Sequence, residues 1–72
     1  MNPSQDEYFA VKLNRAFAAA RSLNGRNPAG YAQSCRELQQ IRETLESGDP
    51  DRMHRILDRV RVLSGGTFYW DP

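Results

Sequence analysis

Apolar positions recur along this chain at intervals of three and four, in three runs separated by short polar breaks. In the first run Phe9, Leu13, Ala16, Phe17, Ala20 and Leu23 fall on one stripe of a helix. In the second, Tyr31, Ser34, Cys35, Leu38, Ile41 and Leu45 do the same, with Tyr31, Leu38 and Leu45 at a seven-residue spacing. The third run carries Met53, Ile56, Leu57, Val60 and Leu63. No stretch alternates with the period of two that a half-buried strand needs, so the pattern predicts amphipathic helices and no sheet.

The residues between the runs sharpen the boundaries. Ser4-Gln5-Asp6-Glu7 reads as a capping box, in which the Ser4 hydroxyl and the Glu7 side chain each satisfy an amide at a helix start. Asn24-Gly25 reads as a left-handed cap at its end. Asn27-Pro28 and Asp49-Pro50 repeat one device, a capping side chain followed by a proline at the first helical position, where a missing N–H costs nothing. Ser47-Gly48 closes the second helix and Gly65-Gly66 the third. The expected elements are helices at about 4–24, 28–47 and 50–64, then a tail at 65–72, all in one domain covering 1–72. Links of only a few residues make consecutive helices antiparallel neighbours, which predicts an all-α fold, a small up-down-up three-helix bundle with an extended aromatic C-terminal tail. The first two helices span roughly 30 Å each and the third about 21 Å at 1.5 Å per residue. The short third helix is expected to leave the surface around Ala20, Leu23 and Tyr31 uncovered, where the tail emerges.

That tail, Thr67-Phe68-Tyr69-Trp70-Asp71-Pro72, holds three of the chain's seven aromatic residues in succession behind two glycines. So much aromatic surface at a chain end must be covered by something. Either Phe68 and Trp70 complete the core, with Tyr69 turned outward toward a neighbouring chain because alternate residues of an extended segment point to opposite sides, or all three dock on a partner. The first helix has a second apolar face, with Tyr8, Val11 and Ala18 opposite its core stripe, and Ala16, Ala18, Ala19 and Ala20 would let another helix approach closely. Phe68, Tyr69, Trp70, Tyr8 and Val11 are therefore the candidate partner-binding residues.

Composition narrows the chemistry. Ten basic residues against nine acidic ones leave a net charge of +1, and nine of the ten are arginine, the cation that tolerates interfaces best. Arg52, Arg55 and Arg59 share a narrow stripe of the third helix and are candidate phosphate contacts. Asp51 and Asp58 stand beside that stripe, where they can pair with Arg55, and a nearly neutral chain lacks the basic excess of nucleic-acid-binding domains. Nucleic acid is thus the weaker expectation, and a helix-turn-helix over residues 45–63 would lack a compact first helix and a basic recognition face. His54 is the only histidine and Cys35 the only cysteine, so no nitrogen-and-sulfur metal cluster can be built within one chain, and no internal disulfide. Asp49, Asp51 and Asp58 are explained by caps and surface pairs, and no glycine-rich phosphate loop or nucleophile elbow is present. The expectation is no catalysis, no cofactor, no metal and no small-molecule substrate, with Cys35 a buried, inert thiol and His54 exposed on the polar side of its helix.

The N-terminus has neither a basic start nor an apolar run, so no signal peptide is expected, and no stretch has the roughly 20 apolar residues of a membrane span. A cytoplasmic protein, or a part of an assembly formed there, fits these features. In size and layout the chain is similar to small phage head-completion proteins and secretion co-chaperones, with no residue motif in common. The leading expectation is a non-enzymatic protein–protein interaction module, a helical subunit, adaptor or inhibitor that docks on another protein or on its own copies. The alternative is a nucleic-acid-associated regulator using the third-helix arginines.

Overall fold

A computed structural model describes residues 5–70. It contains α1 (Gln5–Leu23), α2 (Pro28–Glu46) and α3 (Pro50–Leu63), with no strand among the described residues. The helices form an all-α, up-down-up bundle with the C-terminal segment folded against it.

Local chemistry sets the helix ends. Asn27 is extended, with φ −140° and ψ 93°, and its Oδ1 accepts from the Gly30 N–H at 3.0 Å. Pro28 follows as the first helical residue. Asp49 does the same for α3, its Oδ1 accepting from the Asp51 N–H at 3.0 Å. Gly25, Gly65 and Gly66 all have positive φ, the region that L side chains enter only at a cost. At the end of α3 the Gly66 N–H donates to the Arg61 carbonyl at 2.8 Å and the Gly65 N–H to Val62 at 3.2 Å. This pair of bonds is the Schellman arrangement, which satisfies carbonyls left over at a helix end. Ser4 of the expected capping box lies outside the described residues.

Ala10, Leu13, Ala16, Phe17 and Ala20 of α1 meet Leu38, Ile41 and Leu45 of α2 and Ile56 and Val60 of α3 in one buried cluster. α1 is the central element: it packs extensively on both other helices, which touch each other much less. The wedge left between α2 and α3 is what the tail enters.

Several expectations about the core need correction. The buried stripe of α1 is rotated toward Ala10, leaving Phe9 at its edge, half-buried with the Arg52 guanidinium 5.1 Å from its ring centroid. Leu23 and Tyr31 are half-buried, and Leu63 is 36% exposed. Cys35 is half-buried rather than interior, since the seam of α2 runs through Ser34 and Leu38. From the end of α3 the tail turns back along the bundle, toward Phe17 and Arg42.

Candidate functional site

The tail is redirected by Ser64. Its hydroxyl donates to the Arg61 carbonyl at 3.2 Å and accepts from the Phe68 N–H at 3.1 Å, while the Thr67 hydroxyl donates to the Ser64 carbonyl at 2.7 Å. With the two left-handed glycines, these bonds reverse the chain within a few residues. Phe68 then meets Phe17 edge-on, with centroids 5.1 Å apart, and Trp70 stands edge-on to Phe68 at 5.3 Å. Phe68 and Trp70 are half-buried against the core, and Leu57 and Arg61 of α3 wall the same cleft. From α2, the Arg42 guanidinium lies 5.6 Å from the Trp70 centroid while its Nε donates to Glu46 at 2.9 Å. The tail therefore joins the two helices that pack least on each other.

Tyr69 turns outward. Its ring touches Phe17 edge-on at 5.7 Å but stays 52% exposed. A cleft of about 340 Å³ between Phe17, Ala18, Leu63 and Thr67 adjoins it, with Arg21 as its only charged lining residue.

The arginine stripe of α3 faces the first turn of α1. Arg52 Nε donates to Asp6 Oδ1 at 3.0 Å and Arg55 Nε to Asp6 Oδ2 at 3.2 Å. Arg59 grips Glu7 with two bonds, at 2.9 and 3.2 Å. The expected pairing of Arg55 with Asp51 or Asp58 is not found: Arg55 reaches Asp6, and Asp58 accepts from Arg61 at 3.1 Å. Acidic residues in a first helical turn also complement the helix dipole, so Asp6 and Glu7 are favoured there before any arginine arrives. The hydrogen bond from Arg52, then that from Arg55, holds the Asp6 carboxyl below its ordinary pKa. All three arginines of the stripe are thus engaged within the chain, in partly exposed pairs that solvent and salt screen.

Tyr8 and Val11 lie elsewhere. Tyr8 is 58% exposed and Val11 half-buried, and with Lys12, Arg15 and Glu37 they line an open cleft of about 310 Å³ between α1 and α2. The candidate partner-binding residues therefore fall into two separate places, the tail with its wedge and this cleft. His54 is exposed. No group of His, Cys, Asp and Glu among the described residues would hold a metal ion, and no helix there is long and apolar enough to cross a membrane. The acidic turn opposite the arginines was overlooked in the sequence because Asp6 and Glu7 already had a local explanation as capping residues.

No family model, curated protein or solved structure matches the chain.

Proposed function

We propose that the chain is a non-enzymatic protein–protein interaction module, an adaptor, inhibitor or subunit of an assembly, which contacts another protein through the face bearing Tyr69. The observation that carries this reading is the division of labour in the tail. Phe68 and Trp70 are spent on the chain's own core, whereas Tyr69 is held by the same short segment with half its surface in water, beside the cleft that Ala18 and Leu63 line. Tyrosine supplies a large contact area with few rotatable bonds, and aromatic side chains of this kind anchor many interfaces. A ring set edge-on to Phe17 on a pinned segment also loses little further freedom on binding.

The nucleic-acid alternative draws no support from α3. Arg52, Arg55 and Arg59 are each bonded to a carboxylate of α1, so Asp6 and Glu7 offset the positive charge that a phosphate would need there.

The test is recovery of partners from the native host by the tagged full chain, beside Tyr69→Ala and Ala18→Glu, the latter in the cleft adjoining Tyr69. A partner retained by the parent and lost by both variants, with unchanged circular dichroism and Trp70 emission, supports the reading. A partner set unchanged by both variants refutes this face as the contact surface.

A further inference from the structure

Every arginine from Arg42 onward is in an ion pair: Arg42 with Glu46, Arg52 and Arg55 with Asp6, Arg59 with Glu7 and Arg61 with Asp58. Lys12 and Arg15 differ, for both are exposed and neither makes an ion pair among the described residues. They are three residues apart on α1, and Tyr8 precedes Lys12 by four, so the three side chains form one stripe. Tyr8 and Val11 supply an apolar floor to the α1–α2 cleft whose rim carries the two cations.

We propose that this cleft binds an acidic amphipathic segment of a protein partner, one that offers two carboxylates about a helical turn apart beside an apolar side chain. The proposal deepens the interaction-module reading and rests on it, but it uses a surface separate from Tyr69. Arg15 is suited to a bidentate carboxylate contact and Lys12 to a single point of charge. The partner's apolar side chain would cover Tyr8, whose ring is left in water by the chain's own packing. Glu37 lines the same cleft, leaving its lining with one net positive charge from two cations and one carboxylate. That small excess suits a segment mixing apolar and acidic groups better than a polyphosphate, whose binding grows with the number of phosphates neutralised. Charge complementarity of this kind sets register and partner choice more than raw affinity.

The experiment titrates the isotope-labelled full chain with a synthetic amphipathic helical peptide carrying two glutamates one turn apart beside leucines, and follows the amide signals by NMR. The expected shifts are confined to Tyr8–Arg15 and the surroundings of Glu37. Replacing the peptide's glutamates by glutamine abolishes them. K12E/R15E should weaken binding by roughly tenfold or more, the scale of losing close charge pairs. R21E/R26E alters net charge equally at exposed arginines that do not line the cleft, and it should leave binding within about twofold. Unchanged Trp70 emission in both variants verifies the fold. Equal weakening by both variants, or shifts centred elsewhere, overturns the proposal. So does a single-stranded RNA oligonucleotide that displaces the peptide with steep salt dependence, which would assign the cleft to nucleic acid. If the peptide fails to bind while Tyr69→Ala still removes a host partner, the cleft proposal falls and the module reading stands.

Discussion

If the tail is part of the core, Phe68→Ala should behave as a core mutation and Tyr69→Ala as a surface one, although the two residues are adjacent. Truncating a fully buried phenylalanine costs about 3–5 kcal/mol. Phe68 is half-buried, in edge contact with both Phe17 and Trp70, so about 2–3 kcal/mol is expected, its ring contacts included. Tyr69 is 52% exposed and touches only Phe17 among the rings, which puts its truncation at about 0.5–1 kcal/mol. A chain of this length has a total stability of roughly 4–11 kcal/mol, and small domains sit at the low end. Phe68→Ala should therefore remove a large share of it. Urea unfolding followed by circular dichroism is the assay: with a slope near 1–2 kcal/mol per M, the midpoint should fall by about 1–3 M for Phe68→Ala and by about 0.3–1 M for Tyr69→Ala, a severalfold difference at any one slope. Trp70 emission supplies a second readout, shifting to the red in native buffer for Phe68→Ala alone. Equal midpoint losses, or a Phe68→Ala loss under about 0.5 kcal/mol, would refute the assignment of Phe68 to the core.

Gly65→Ala forces a side chain into φ +66° and should cost about 1–2 kcal/mol, whereas Gly48→Ala, whose added Cβ meets only carbonyl oxygens at 3.7 Å, should be neutral or slightly stabilising in the same unfolding assay. Asp6 has a lowered pKa in the folded chain, so its pairs with Arg52 and Arg55 stabilise fully above the ordinary carboxylate pKa, and that contribution is lost as pH falls through the folded value. Asp6→Asn should accordingly show a smaller drop in urea midpoint between neutral and acid pH than the parent; an identical drop would remove Asp6 from the acid response. Replacing Arg52, Arg55 and Arg59 together by glutamine should lower the urea midpoint slightly at low salt and less at high salt, without changing retention on immobilised duplex or single-stranded nucleic acid. Loss of a tight, salt-sensitive nucleic-acid complex on that change would reverse the ranking of the two functional readings.

The features legible in the sequence are those whose physics closes within a few residues. Asn27-Pro28 and Asp49-Pro50 start helices, and Gly65-Gly66 ends one, because the donor, the acceptor and the required backbone angle all belong to a single turn of chain. The number of helices, the short links and hence the bundle follow from those stops and from the spacing of Leu13, Phe17, Leu38, Leu45, Ile56 and Val60. Ala10 is not legible there because a methyl group carries almost no periodic signal, yet it is fully buried in the core cluster. Other outcomes depended on how the helices were set against one another. Once α1 had packed on both α2 and α3, a wedge remained between those two, and its place decided that Phe68 and Trp70 would turn back toward Phe17 and Arg42. The partners of Arg52, Arg55 and Arg59 were settled in the same way. Their nearest carboxylates in sequence, Asp51 and Asp58, lost to Asp6 and Glu7 more than 45 residues away, because the packing of α3 on α1 brings the arginine stripe over an acidic first turn. Pairings and clefts between helices depend on the relative rotation and tilt of whole elements, which the pattern within any one of them does not encode.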